Sequence, residues 1–142
     1  MVVLAVLVVA SGFGLLRQRT DGRVKQLAPS AGGEAVLAAD SPFAQYGTMG
    51  ERATIVQFSS TVCAPCRAAK AIASDVAAVV PGVRHLEVNA EQHMDLVREF
   101  GIMRTPTILV LDGRGRLSAR ISGVPRKDEL LVAVDDRRFE DI

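Results

Sequence analysis

Ser59-Ser60-Thr61-Val62-Cys63-Ala64-Pro65-Cys66-Arg67 holds both cysteines of the 142-residue chain, separated by two residues. On its N-terminal side, Thr54-Ile55-Val56-Gln57-Phe58 is a β-branched and aromatic run of strand length. On its C-terminal side, Ala68-Ala69-Lys70-Ala71-Ile72-Ala73 begins a helix-forming stretch with no breaker before Pro81. The pair is therefore expected at a helix N-terminus. Unpaired backbone N–H groups and the positive end of the helix dipole stabilise a thiolate there, and Pro65 is tolerated because the first turn needs no N–H from it. Arg67 and Lys70 add positive charge in the same direction.

Two thiols at this spacing can close and reopen a small disulfide ring, or supply half the ligands of a tetrahedral zinc site. In the first reading Cys63, nearer the exposed start of the helix, is the attacking thiol. Cys66, one turn further in, is the resolving thiol that breaks the mixed disulfide. A purely structural pair is the second reading, although a ring this small constrains little of the unfolded chain and makes a poor staple. The zinc reading needs two more ligands, and the chain offers only His85 and His93. Their spacing is wider than the H-x3-5-H pattern, and His85 falls in an apparent strand.

Around this centre the chain divides into three parts: a membrane-anchor helix with its basic flank at 1–19, a linker and N-terminal part of the domain at 20–52, and the domain itself at 53–142. Met1 to Leu16 carries no charged side chain. It is short for a spanning helix, which usually needs about 20 apolar residues with a lower limit near 17. It begins without Lys or Arg, and Ala10-Ser11-Gly12 is a weak cleavage pattern, so it reads as an anchor through Val2 to Leu16 rather than a secretory signal. A buried core helix is the alternative for this run. Arg17, Arg19, Arg23 and Lys25 all follow the segment, and the positive-inside rule then places a single-pass protein with its domain in the cytoplasm. An extracytoplasmic domain is the alternative. Thr20 to Met49 is rich in Gly, Ala, Ser and Pro, with a short helical piece expected near Glu34 to Ala39, and Phe43 and Tyr46 expected over an edge of the core. Lys and Arg number 17 against 16 for Asp and Glu, a balance that gives no footprint for nucleic acid.

Beyond the cysteine helix, Val83 to Asn89 alternates as a half-buried strand, and Glu91 to Phe100 reads as a helix closed by Gly101. Ile108-Leu109-Val110-Leu111 is a strongly apolar strand, and Asp112-Gly113-Arg114-Gly115 a hairpin turn leading into a strand from Leu117 to Ser122. Arg126 to Arg138 has the pattern of a final amphipathic helix. The order β-α-β-α-β-β-α, a parallel pair followed by an antiparallel hairpin, makes an α/β sandwich.

In three features the sequence resembles the thioredoxin-like family: Cys63-Ala64-Pro65-Cys66 after a strand, Gly101-Ile102-Met103-Arg104-Thr105-Pro106-Thr107 before the hairpin, and Gly123 after the last strand. The resemblance covers most of Ala53 to Arg138. It implies a three-layer sandwich with a central mixed sheet, preceded here by the apolar helix. It also implies a cis Thr105-Pro106 bond facing the disulfide, and substrate binding by Thr105, Pro106 and Pro65, with an extended cysteine-containing peptide pairing against the backbone before the proline. Four positions depart from the pattern of thioredoxins proper. Val62 stands in place of a tryptophan, Gln57 in place of a buried aspartate that accepts a proton, Glu87 in place of the lysine that partners it, and Thr105 in place of an aliphatic residue. Gln57 cannot act as a base. Glu87 can take the role of proton acceptor if its strand buries it beneath the cysteines, where its pKa would rise; a solvated strand residue is the other reading.

The expectation is a membrane-anchored thiol-disulfide oxidoreductase working through Cys63 and Cys66 on protein or small disulfide substrates, recycled by a further redox partner. No metal or organic cofactor is implied. The Ala-Pro pair inside the motif resembles the reducing type, which favours a reductase. A thioredoxin-fold binding module with little redox activity, an extracytoplasmic oxidase or isomerase, and a zinc-binding domain are the alternatives.

Overall fold

The computed structural model describes residues 2–20, 22–26 and 41–135. An N-terminal helix α1 spans Val2–Thr20. It is followed by strand β1, Val24–Gln26, and by a 3-10 turn at Ala44–Tyr46. Then come β2 (Ala53–Ser59), α2 (Ala64–Val79), β3 (Val83–Asn89), α3 (Met94–Glu99), β4 (Thr107–Asp112), β5 (Leu117–Ser122) and α4 (Lys127–Asp135). The strands form one mixed sheet in the order β1-β5-β4-β2-β3. Only β2 and β3 run parallel, and α2 is the crossover between them.

Side-chain alternation divides the core in two. On one face Ile55, Val83, Ile108, Val110 and Ile121 pack with Ala69, Ala73 and Val76 of α2 and Leu130, Ala133 and Val134 of α4. On the other, Val56, Phe58, Leu86, Val88, Leu109 and Leu111 pack with Phe43, Ile102 and Leu96 of α3. Every residue of β2 and of β4 is buried, as expected of strands covered on both faces. The order β2-α2-β3-α3-β4-β5-α4 within an α/β sandwich is the one expected from the sequence.

Four details differ from the expectation. Val24–Gln26, in the segment read as linker, pairs antiparallel with β5 from Val24↔Ile121 to Gln26↔Ala119, and the Val24 N–H donates to Glu129 Oε2 of α4 at 3.1 Å. The sequence hides this strand because three residues ending in Lys25-Gln26 carry no apolar run. Phe43 lies in the core rather than at its edge, 1% exposed, with its ring edge-on to Phe58 and tilted against Phe100. The helix expected from Glu91 starts only at Met94, because Asn89 Oδ1 accepts the N–H groups of both Glu91 and Gln92 and holds them in a turn. And among the described residues no helix is long and apolar enough to cross a membrane. The helical piece expected near Glu34 to Ala39, and the end of the last helix beyond Asp135, lie outside the described residues.

Candidate active site

Cys63 is the N-cap of α2, with extended backbone angles (φ −142°, ψ 95°), and its Sγ accepts the Cys66 N–H at 3.1 Å. Pro65 follows in the first turn, where its missing donor costs no hydrogen bond. The helix stops at Val79 because Val80 turns extended and Pro81-Gly82 cannot continue it; Gly82 takes φ +79°. Cys63 and Cys66 are joined in a disulfide with Cα atoms 5.2 Å apart. Cys63 is half-buried and Cys66 is buried, so the disulfide can be approached from the Cys63 side. Val62, beside it, is 94% exposed.

The second wall is the loop before β4. The Thr105–Pro106 peptide bond is cis, as the resemblance implies. Three contacts hold that loop: the Thr105 and Ser60 hydroxyls lie 3.1 Å apart, Thr107 Oγ1 donates to the Arg104 carbonyl at 2.7 Å, and the Gly123 N–H donates to the Pro106 carbonyl at 2.8 Å. Gly123 can do this at φ +98°, a conformation open to glycine and strained for other residues. Pro106 is buried and Thr105 half-buried, while Met103 is 92% exposed. The Ser60–Thr105 contact thus ties the cysteine loop to the proline loop.

Beneath the cysteines lies a polar network that links β2, β3 and α2. Gln57 is fully buried. Its Nε2 donates to the Cys66 carbonyl and to Ser59 Oγ, each at 2.9 Å, and its Oε1 lies 3.2 Å from His85 Nε2. Ser59 Oγ donates to Glu87 Oε1 at 2.9 Å, Lys70 Nζ pairs with Glu87 Oε2 at 2.6 Å, and His85 Nδ1 lies 3.2 Å from Ser74 Oγ. The parallel register creates the cluster: Ile55 sits opposite His85 and Gln57 opposite Glu87.

Glu87 is the carboxylate of this network. It stays exposed, and although burial acts to raise its pKa, the hydrogen bonds from Lys70 and Ser59 and the charges of Lys70 and His85 outweigh burial and hold it below the usual carboxylate value. His85 moves the same way for a different reason. Burial lowers its pKa, Glu87 opposes, and Lys70 adds to the lowering, so the imidazole is neutral near pH 7. In the sequence His85 stands out only as a candidate metal ligand. Among the described residues no group of three or more His, Cys, Asp or Glu side chains could hold a metal ion, and the His93 ring packs edge-on against Tyr46 at 4.9 Å. A further residue escaped the sequence reading: Glu91, whose carboxylate accepts the Thr61 hydroxyl at 2.7 Å and the Thr61 N–H at 3.3 Å, braces the loop just before Cys63.

A protein-family model described as Thioredoxin matches residues 34–136. Among relatives in sequence, the thioredoxin of Methanocaldococcus jannaschii is 33% identical over 81 residues, covering 56% of this chain and 89% of that one. Thioredoxin 1 of Nostoc sp. is 24% identical over 88 residues, covering 61% of this chain and 82% of that one. Among solved structures, a thioredoxin-2 described as a component of malaria parasite protein secretion machinery superimposes with a TM-score of 0.57 at 17% identity, over 64% of this chain and 88% of its own. The oxidized form of mitochondrial thioredoxin 3 from Saccharomyces cerevisiae gives 0.54 at 21% identity, over 61% of this chain and 79% of its own. Those two likenesses concern the fold. With the family match spanning most of the chain and a Cys-x-x-Cys pair at the start of α2, the chain belongs to the thioredoxin family and is a thiol-disulfide oxidoreductase.

Proposed function

We propose that the chain is a disulfide reductase in which Cys63 attacks and Cys66 resolves, with Thr105, Pro106 and Pro65 forming the surface that receives the substrate. The observation that carries this reading is the placing of the two sulfurs. Cys63 is the half-buried N-cap of a helix of 16 residues, where the Cys66 N–H and the helix dipole stabilise negative charge on Sγ, while Cys66 is buried behind it. In one cycle the Cys63 thiolate displaces one sulfur of the substrate disulfide. Cys66, as thiolate, then attacks Cys63 Sγ and releases the second substrate thiol. The substrate gains two electrons and two protons, and the protein is left with the Cys63–Cys66 disulfide for a redox partner to reduce. Glu87, its charge stabilised by Lys70 and Ser59, serves here as an anchor for those two groups rather than as the proton acceptor, and the Cys66 proton goes to solvent. Trapping tests the assignment: Cys66→Ser is expected to accumulate mixed disulfides with cysteine-containing proteins, and Cys63→Ser to accumulate none. Equal trapping by both variants would remove the distinction between the two thiols, and adducts on Cys66 alone would reverse the roles.

The same reading extends to placement. α1 exposes Val2, Val3, Val6, Leu7, Val8, Val9, Phe13 and Leu15. At about 1.5 Å per residue the apolar run from Val2 to Leu16 extends about 22 Å, short of the roughly 30 Å of a bilayer core, and the sequence becomes basic at Arg17. We propose that Val2 to Leu16 anchors the protein in a membrane and that the flanking Arg17, Arg19, Arg23 and Lys25 keep the domain on the cytoplasmic side. The full chain is then expected to float with lipid vesicles and a chain starting at Gly22 not to. Flotation of neither would remove the anchor, and a reporter after Arg138 active only outside the cytoplasm would reverse the topology.

A further inference from the structure

Gln57 uses both hydrogens of its amide nitrogen and meets His85 with its amide oxygen, and the direction of each bond can be worked out. The Cys66 carbonyl is an acceptor only, so the atom 2.9 Å from it must be the donor Nε2, which leaves Oε1 facing His85 Nε2. A second Nε2 hydrogen goes to Ser59 Oγ, which passes its own hydrogen to the Glu87 carboxylate. Oε1 accepts, so His85 Nε2 must carry a proton, and on a neutral ring Nδ1 is then free to accept from the Ser74 hydroxyl. The bonds run in one consistent direction, from Ser74 through His85 and Gln57 to the backbone of Cys66. The groups that face His85 are Gln57 on β2, Glu87 on β3, and Lys70 and Ser74 on α2.

We propose that His85 is a positioning residue for Cys66: its Nε2–H fixes the Gln57 amide in the one orientation that donates to the Cys66 carbonyl, and so holds the resolving thiol against Cys63. This rests on the thiol-disulfide chemistry proposed above. Without the His85 bond, Oε1 is left buried and unpaired, the amide gains a reason to rotate, and rotation would set Oε1 against the Cys66 carbonyl, acceptor to acceptor. Cys66 then samples more positions when the ring is open. In the resolving step the Cys66 thiolate attacks Cys63 Sγ, a bond forms between those two sulfurs, and the Cys63–substrate bond breaks with its electron pair leaving on the substrate sulfur. The rate and equilibrium of ring closure follow the effective concentration of Cys66 at Cys63, and looser holding lowers it. The neutral charge state of His85 near pH 7 agrees with this assignment, as burial disfavours the imidazolium.

The test is the equilibrium of the full chain with a glutathione buffer series, read by mass-labelling of free Cys63 and Cys66, in the wild type, His85→Leu and His85→Gln. The glutamine side chain can still donate to Gln57 and is not titratable. His85→Leu is expected to lower the ring-closure constant about tenfold, equivalent to about 30 mV less negative. His85→Gln is expected to restore it to within about twofold. An unchanged constant in His85→Leu, or an equal fall in both variants, overturns the proposal. If the leucine variant does not fold, the nitrogen chemical shifts of the wild-type imidazole at neutral pH decide: the Nε2–H tautomer is expected, and the Nδ1–H tautomer overturns the proposal. A wild type that closes no ring under any buffer would instead bring down the oxidoreductase reading itself.

Discussion

Cys66 has both backbone polar groups committed, its N–H to Cys63 Sγ and its carbonyl to the Gln57 amide. A thioredoxin-family site has here been built around a neutral amide, with the titratable groups one bond further away. The consequence is testable in stability as well as in redox chemistry. His85 has its folded-state pKa below 6.5, so as pH falls through 6.5 the unfolded chain binds a proton first and stability drops until the folded His85 is protonated too. Glu87 has its folded-state pKa below 4.5, so its contribution is complete above 4.5 and is lost as pH falls further. Urea unfolding across pH 7.5 to 3 should therefore show two stages of loss, the upper absent in His85→Gln and the lower reduced in Glu87→Gln. Persistence of the upper stage in His85→Gln would mean that another group governs it.

Among the elements, α2 carries the site and the sheet fixes where it points. Ala69, Ala73 and Val76 are fully buried along its inner face, and the two alanines let the helix lie close on β2. Ala73→Leu forces extra volume into that contact and should cost about 1–3 kcal/mol in urea unfolding, with the start of α2 displaced. A cost near zero would show slack beneath the helix. The β2-to-β5 strands were legible as β-branched runs separated by turn residues. The β4–β5 turn was as well: Asp112 Oδ1 accepts the N–H groups of Arg114 and Arg116, and Gly115 takes φ +78°. β1 was not legible because its pairing with β5 involves backbone groups that leave no mark on three residues of mixed polarity. The Cys63–Cys66 pair and Pro106 could be found from motif and order alone. The Gln57–His85 contact could not, because it depends on two strands meeting in one register, although alternate residues of adjacent parallel strands were already a hint that 55, 57, 85 and 87 share a face.

For the whole molecule, the division of labour follows from the two cores. One binds α2 and α4 to the sheet and so supports the cysteines; the other packs Phe43, Ile102 and α3 on the opposite face, directly before the loop that ends in Pro106. The two walls of the site thus rest on different halves of the core and meet at Ser60 and Thr105. α1, apolar and exposed, stands apart in character and gives the proposed anchor. In the proposed reading this arrangement serves reduction. The measurement that tests it most directly is the reduction potential of the Cys63–Cys66 pair in the full chain, equilibrated against thiol buffers and read by mass-labelling, since the sequence contains no Trp for a fluorescence signal. A reductase should give a value near the thioredoxin range of about −270 mV. A value near about −120 mV, that of a strong oxidant, would contradict that reading.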